Sequence, residues 1–477
     1  MRTAFETAEA VRAGKLGAEE SINESLAAIK AKNGELNAFL EVFEEDALTR
    51  ARELDAKIKA GKPAGKLAGV PVAIKDNILY EGRLCTCASK ILQGHRAVYS
   101  AEAVRRLLSE DAVIVGRTNM DEFAMGSSGE NSAFGPVRNP LDISRVPGGS
   151  SSGSAAAVAA GMVPVALGSD TGGSVRQPGA LCGVTALKPS YGRVSRRGLV
   201  AFGSSLDQIG HFTADARDSA LVLSVTAGHD SGDSTCVDKP VPAWHETIGA
   251  GVRGLKIGLP KEYFVAGMDP ETEKLVRAAA ARLETAGARL VDISLPHTKY
   301  AVPVYYIIAS SEASSNLARF DGMRYGFAAG KTGASLNLKQ AYEKSRAAFG
   351  AEVKRRIMLG TYALSSGYYD AYYAKAQRVR TLIKRDFDAA FEKVDVILTP
   401  TVPAPAFKIG EKTDDPVSMY LSDIFTIPCN LAGLPGLSVP CGKTAAGLPA
   451  GVQFLAAPFN EAAVFTAAQG LRADGAA

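Results

Sequence analysis

The chain has 477 residues, of which 46% are hydrophobic and 22% charged, a composition that excludes a disordered or fibrous protein. The 54 basic and 50 acidic residues leave a net charge of +4, which is too balanced for a surface dedicated to nucleic acid. The 6 cysteines form no CxxC pair and do not cluster with histidine, so we expect free thiols and neither a disulfide framework nor a zinc site.

The start of the chain carries early glutamates and no apolar stretch, which argues against a targeting segment. No apolar run approaches the roughly 18 residues that a membrane-spanning helix needs. We therefore expect a cytoplasmic protein.

Residues 1–62 are predicted to be a helical segment, because Ile22, Leu26 and Ile29 follow helical spacing. From residue 63 onwards the pattern changes to alternating strands and helices. A short buried strand is predicted to end at Lys75. A helix and a strand follow in 100–119.

A Gly/Ser-rich loop at 147–153 is predicted to lead into an alanine-rich helix and then into a strand at 162–170. Further strands are predicted at 255–260, 289–296, 394–400 and 450–458, with a mostly helical excursion at about 305–391. Because this alternation is typical of α/β proteins and no linker interrupts it, we predict one large α/β domain over 63–466, to which the first helices also belong, and a tail at 467–477.

Two familiar motifs are present but fit poorly. The stretch "GSSSG" at 149–153 matches the nucleophile elbow G-x-S-x-G, with Ser151 as the nucleophile, but such enzymes need a histidine late in the chain. The 5 histidines end at His297. The stretch "AAGKT" at 328–332 resembles the end of a phosphate-binding loop, but Gly326 is one residue too close and no strand precedes it. We reject both motifs.

A lysine is the alternative base when no histidine is available, because burial can lower the pKa of an amine towards neutrality. Lys75 follows the apolar run "GVPVAI" and is the best candidate, although most basic side chains are solvated surface groups. Gly172 and Gly173 would let consecutive N–H groups point at one oxyanion. The alternative for these glycines is a tight turn after a strand.

Three segments together resemble the amidase signature family: "VAIKDN" with Lys75, "PGGSSSGSAAAVAAG", and "ALGSDTGGSVRQPGALCGVTALKPSYGRVS". The resemblance implies a mixed central β-sheet covered by helices. It also implies a Ser-cisSer-Lys triad in which Ser174 is the nucleophile, Ser150 the bridging serine and Lys75 the base. The implied oxyanion hole consists of the backbone N–H groups of Thr171, Gly172, Gly173 and Ser174. Small departures, such as "SSSGS" where "SSGGS" is commoner, leave the triad untouched.

Further segments, including "RTNMDEFAMGSS" and "TIPCNLAGLPGLSVP", resemble the glutamine-hydrolysing members of this family that serve tRNA-dependent amidation. For these members the resemblance implies that the charged ends of glutamine meet Asp423 and either Arg355 or Arg356, with Tyr305 and Met125 lining the pocket. Taken by itself, the arginine pair would be a solvated helix face.

The same resemblance implies no metal or cofactor in this chain. It implies a heterotrimer with amidotransferase B and C subunits, in which a partner uses ATP and Mg²⁺ and the ammonia amidates misacylated Glu-tRNA(Gln), with Asp-tRNA(Asn) a further possible substrate. Two alternatives stay open: a stand-alone amidase for a small or aromatic carboxamide, and a scaffold with a decayed site. The intact triad argues against the scaffold, and the further segments argue against the stand-alone amidase.

Overall fold

The computed structural model describes residues 1–249, 251–264, 267–331 and 335–472. Within them the strands are β1 (Phe39–Val42), β2 (Pro71–Lys75), β3 (Val113–Thr118), β4 (Val165–Asp170), β5 (Thr185–Lys188), β6 (Gln208–Thr213), β7 (Lys256–Pro260), β8 (Arg289–Ile293), β9 (Val396–Pro400), β10 (Gly436–Lys443) and β11 (Pro449–Leu455). The helices are α1 (Ala4–Arg12), α2 (Ala18–Leu36), α3 (Glu44–Lys59), α4 (Glu102–Ser109), α5 (Ser152–Ala159), α6 (Arg176–Cys182), α7 (Ala216–Thr226), α8 (Trp244–Thr247), α9 (Pro270–Thr285), α10 (Ala301–Asn316), α11 (Leu338–Arg346), α12 (Ala351–Leu364), α13 (Lys375–Phe391), α14 (Pro416–Tyr420), α15 (Ile427–Leu431) and α16 (Glu461–Arg472).

All these strands belong to one 11-stranded sheet, in the order β1-β3-β2-β4-β6-β5-β10-β11-β9-β7-β8. Strands β3, β2 and β4 run parallel to one another, whereas β4, β6, β5, β10, β11 and β9 pair antiparallel in turn. The predicted single α/β domain with a mixed sheet is therefore confirmed.

The middle of the sheet is covered by helices on both faces. Val72 and Ile74 of β2 join one apolar cluster, and Ala73 between them joins another. Because successive side chains of a strand point to opposite faces, these clusters lie on the two sides of the sheet. A parallel strand buried on both sides has a nearly continuous apolar sequence, and that is what "PVAIK" shows.

The order of the strands sets the position of the candidate site. Ile74 of β2 lies opposite Leu167 of β4 in parallel register, so both strands end at the same edge of the sheet. Lys75 ends β2, and the glycine-rich loop follows directly after β4. Two segments about a hundred residues apart in sequence therefore meet at one edge.

Some predicted boundaries differ from the structure. The N-terminal segment 1–62 contains strand β1 besides its helices. The helical excursion begins earlier, with α10 at Ala301, and ends at Phe391. Residues 467–472, predicted to belong to a tail, continue helix α16, and residues 473–477 lie outside the described residues.

All 6 cysteines are buried and none forms a disulfide. Among the described helices, none combines the length and the apolar character needed to cross a bilayer.

Candidate active site

Lys75 is a fully buried amine at the end of β2. Its Nζ donates to Ser150 Oγ at 2.8 Å and to Ser169 Oγ at 3.0 Å. Burial lowers the pKa of Lys75 to about 7, although the carboxylates of Asp121 and Asp170, among others, act to raise it. A large fraction of this amine is therefore neutral at neutral pH and can accept a proton.

Ser150 lies in the loop before α5 and follows a cis peptide bond from Gly149. The Gly149 N–H donates to Gln177 Oε1 at 3.0 Å, and the Ser150 carbonyl accepts from the Asp121 N–H at 3.1 Å. A Cβ on Gly149 would also overlap the Asp121 carboxylate. These contacts fix the loop that presents the Ser150 hydroxyl to Lys75.

Ser174 lies in the loop between β4 and α6 and is 8% exposed. Its carbonyl accepts from the Ser151 N–H at 3.2 Å, which joins this loop to the loop of Ser150. The structure thus gathers Lys75, Ser150 and the loop of Ser174 at one edge of the sheet.

The backbone N–H groups of residues 171–174 differ in whether they already make a hydrogen bond. The Gly173 N–H donates to Asp170 Oδ1 at 2.8 Å, whereas those of Thr171, Gly172 and Ser174 have no hydrogen-bond partner among the described residues. Of the four N–H groups in the implied oxyanion hole, three are therefore free of a hydrogen bond to the described residues. The fourth, that of Gly173, holds the loop on β4 through Asp170.

Arg355 and Arg356 differ sharply in their surroundings. Arg355 is exposed and pairs with Glu352 at the surface, whereas Arg356 is 3% exposed. The Arg356 Nε donates to Glu352 Oε1 at 2.8 Å, and its guanidinium lies 5.0 Å from the ring of Tyr306. Its two Nη atoms have no hydrogen-bond partner among the described residues. Arg356 is therefore the one that can offer two donors to a buried carboxylate.

Asp423 is buried, and its Oδ2 accepts a hydrogen bond from the Ser127 hydroxyl. Its Oδ1 has no partner among the described residues, and burial raises the pKa of Asp423 to about 7. Both Arg356 and the carboxylate of Asp170 influence that pKa, so these groups share one electrostatic environment. An unpaired, buried carboxylate oxygen is suited to an ammonium group.

Tyr305 and Met125 are both buried. Tyr305 lies beside the glycine-rich loop, and Met125 lies in the segment after β3. A Cβ on Gly172 would lie 2.7 Å from Tyr305 Cζ, so this tyrosine packs directly on the loop that precedes Ser174. Both side chains belong to the same apolar cluster.

The rejected motifs have structural roles. Ser151 is fully buried, and its hydroxyl donates to the Ser169 carbonyl at 3.1 Å. None of the histidines, all of them described, makes a hydrogen bond to Ser150, Ser151 or Ser174. In the phosphate-loop-like stretch, Ala329–Lys331 forms a 3₁₀ turn, and position 332 lies outside the described residues.

Several further groups surround the site and are missing from the predicted set, although Asn77, Asp170 and Arg176 lie within the segments that carry the family resemblance. Asp207 accepts from Thr171 Oγ1 at 2.7 Å, and Arg176 donates to Asp170 at 3.2 Å. Asn77 Nδ2 donates to Ser169 Oγ at 2.9 Å, behind Lys75. Over the described part of the chain, no three His, Cys, Asp or Glu side chains are grouped so that they could hold a metal ion.

Comparison with known proteins gives a consistent result. The model of the family described as amidase matches residues 20–465. The chain is 55% identical over 469 residues to the A subunit of glutamyl-tRNA(Gln) amidotransferase from Acidobacterium capsulatum, with 98% of each chain covered. The protein of the same name from Myxococcus xanthus is 56% identical, with 98% of this chain and 96% of that protein covered. The crystal structure of the Thermotoga maritima protein of that name superposes with a TM-score of 0.80 at 43% identity, covering 99% of this chain and 95% of that one.

Proposed function

The chain belongs to the amidase signature family, and from this premise we propose that it is the glutamine-hydrolysing component of a tRNA-dependent amidotransferase, its A subunit. The observation that carries the proposal is the buried Lys75 amine, 2.8 Å from Ser150 Oγ, with its pKa lowered by burial to about 7. It supplies a base at neutral pH where no histidine is available.

In the proposed reaction, Ser174 Oγ attacks the carboxamide carbon of glutamine while its proton passes to Ser150 and the Ser150 proton passes to Lys75 Nζ. The N–H groups of Thr171, Gly172 and Ser174, which have no hydrogen-bond partner among the described residues, would hold the oxyanion. When the intermediate collapses, the C–N bond breaks and the proton returns through Ser150 to the leaving nitrogen, which departs as ammonia. Water then hydrolyses the acyl-enzyme on Ser174 by the same relay and releases glutamate.

The charges of the pocket favour a substrate with an α-amino acid end. The free Nη groups of Arg356 would bind the α-carboxylate in two-pronged fashion, and Asp423 Oδ1 would accept from the α-ammonium. Tyr305 and Met125 would line the apolar part. The alternative, a stand-alone amidase for an aromatic or small amide, has no use for this buried pair of opposite charges.

The relatives are named as subunits, which supports a multi-subunit assembly. We propose partner B and C subunits, with a partner binding ATP and Mg²⁺ and activating the misacylated tRNA that receives the ammonia. Since charged tRNA is found in the cytoplasm, this role also supports that compartment. The hydrolysis itself uses only side chains and backbone N–H groups of this chain.

The proposal is tested with the complete complex carrying Ser174→Ala, assayed for amidation of misacylated tRNA with glutamine or with ammonium chloride as nitrogen donor. We expect glutamine-dependent amidation to fall by at least about 1,000-fold, because the nucleophile is gone, and ammonia-dependent amidation to remain. Ser224→Ala is the control, since that hydroxyl donates to Leu221 O within α7. Loss of both activities, or faster hydrolysis of a simple aromatic amide than of glutamine by the wild type, would refute the proposal.

A further inference from the structure

Behind the catalytic lysine lies a pair of buried polar side chains that the proposed proton relay does not use. Ser169, in β4, is 2% exposed, and Asn77, two residues after Lys75, is 3% exposed. Ser169 Oγ accepts from Lys75 Nζ at 3.0 Å and from Asn77 Nδ2 at 2.9 Å. The carbonyl of Ser169 is a further acceptor, 3.4 Å from Lys75 Nζ.

We infer that Ser169 and Asn77 are positioning residues that turn the lone pair of Lys75 towards Ser150. The inference rests on the proposed function, in which neutral Lys75 is the base. A neutral amine has two N–H groups and one lone pair. Ser169 offers it two acceptors, the hydroxyl and the carbonyl, so the position that remains for the lone pair is the one facing Ser150.

The same arrangement also serves the charged state. After Lys75 has taken the proton of Ser150, its ammonium has three N–H groups and the structure offers it three acceptors. These are Ser150 Oγ at 2.8 Å, Ser169 Oγ at 3.0 Å and Ser169 O at 3.4 Å. The proton can therefore move from oxygen to nitrogen and back without rearrangement of the groups around Nζ.

Asn77 acts on Lys75 only through Ser169. Its amide donates to Ser169 Oγ and so fixes the direction of the lone pair that Ser169 turns towards Lys75. The other end of this amide, Oδ1, is buried without a partner among the described residues. A half-satisfied buried amide costs stability, which is the pattern expected at a functional position. The backbone of Asn77 is held separately, since its carbonyl accepts from the Val200 N–H at 2.9 Å.

The first test is Ser169→Ala, with glutamine hydrolysis by the complete complex measured as ammonia release between about pH 5.5 and 9. We expect kcat to fall by about 10- to 100-fold with KM for glutamine unchanged, because one hydrogen bond to the reacting amine is lost. We also expect the acid limb of the plot of kcat against pH to shift to lower pH by up to about one unit. The lost hydroxyl stabilised the charged amine, so its removal lowers the pKa of Lys75. Ser169→Thr keeps the hydroxyl, so we expect its kcat and the position of its acid limb to match those of the wild type.

The position of the acid limb also depends on the titratable groups that most influence the pKa of Lys75. These groups are the carboxylates of Asp121, Asp170 and Asp207 and the thiol of Cys87. None of them is altered in the variants, so a displacement of the limb reports the loss of the Ser169 hydroxyl.

The second test uses Asn77→Ala, alone and combined with Ser169→Ala. Alone it is expected to lower kcat by about 3- to 10-fold, and in the Ser169→Ala background to add nothing, because its only route to Lys75 is gone. Ser154→Ala is the matched control, since Ser154 is equally buried and donates to Leu167 O at 2.8 Å without contacting Lys75. If Ser169→Ala does not fold, Asn77→Ala and Ser169→Thr carry the test.

The results separate the inference from the proposed function. Three results would each overturn the inference but leave the proposed function intact. They are a wild-type kcat in the variants, a lower kcat with an unchanged acid limb, and additive losses in the double variant. A wild-type complex that releases no ammonia from glutamine would overturn the proposed function. In that case the same variants are measured on whichever amide the wild type hydrolyses.

Discussion

At the scale of single residues, the burial of Lys75 sets the pH at which the proposed relay can operate. Its amine must be neutral to accept a proton, and burial lowers its pKa to about 7, below the usual value of 10.5. The pKa of Asp423 is raised by burial to about 7, and its protonation would remove the partner of the substrate ammonium. Both titrations therefore lower activity on the acid side.

We accordingly expect kcat/KM for glutamine to rise with pH up to about 7 and to level off above it. Below that pH it should fall by at least about tenfold per unit, since protonated Lys75 cannot act as the base. Initial rates of ammonia release at subsaturating glutamine measure this directly. A profile that stays flat down to about pH 5.5 would contradict the role of a buried neutral amine.

The two neighbouring arginines of α12 provide a second prediction at this scale. Arg356→Lys keeps the charge but removes the two Nη donors of a buried guanidinium that would bind the α-carboxylate, so KM for glutamine should rise by about 10- to 100-fold. Arg355→Lys is the matched control, because Arg355 is exposed and pairs with Glu352 at the surface. Equal effects of the two changes would place the carboxylate elsewhere.

At the scale of elements, the loop between β4 and α6 is shaped by two close approaches. Gly173 has φ +139°, and a Cβ there would lie 2.7 Å from Thr426 Cβ, just before α15. Thr426 Oγ1 donates to the Gly172 carbonyl at 2.7 Å, so α15 and the loop hold each other in place. The loop can therefore present open N–H groups only if position 173 carries no side chain.

Gly173→Ala is therefore expected to lower glutamine hydrolysis by about 100-fold or more, because the strained backbone and the Thr426 overlap would displace the oxyanion donors. Gly447→Ala is the control: Gly447 also has a positive φ of +78°, but a Cβ there meets nothing within 4 Å. That control should lose about 1 kcal/mol of stability and keep its activity. Full activity of Gly173→Ala would show that the loop tolerates a different backbone.

The sequence predicts strands that contain a clear apolar run better than it predicts the others, and burial alone does not decide this, since β5 and β6 are buried throughout but carry no such signal. Strands β2 and β4 are predictable because "PVAIK" and "VALGSD" are largely apolar. Strands β1, β5, β6 and β10 are absent from the predicted set. Strand β1 has only 4 residues and is a partly exposed outermost strand of the sheet. The sequence "TALK" in β5 lacks an alternating pattern.

For the site, too, residues within a specific local motif are predictable, whereas those that depend on tertiary contacts are not. The triad residues are predictable because their local motifs are specific, although their roles remain predictions. The choice between Arg355 and Arg356 could not be made from sequence, because the face that α12 buries depends on its tertiary contacts with α10. Ser127 and Asp423 are 296 residues apart in sequence, so no local pattern indicates their hydrogen bond.

At the scale of the whole molecule, one buried arginine connects the two halves of the sheet. Arg176, fully buried in α6, donates to Asp170 of β4 at 3.2 Å and to Gln453 of β11 at 2.9 Å. It also donates to Asn430 of α15 at 2.6 Å. Strands β4 and β11 are separated in the sheet by β6, β5 and β10. The loop after β4 is thus positioned by residues from the last quarter of the chain.

We therefore predict that Arg176→Met lowers the free energy of unfolding by about 3–5 kcal/mol, because Asp170 is left as a buried charge without its partner. Urea unfolding is followed by far-UV circular dichroism and by the fluorescence of Trp244, the only tryptophan, which packs against Phe465. The two signals should change together, since one sheet carries both halves. Arg277→Met, which removes a half-exposed partner of Glu273, should change stability by less than about 0.5 kcal/mol. An Arg176→Met protein as stable as this control would show that the charge of Asp170 is compensated by Asn430 and the backbone alone.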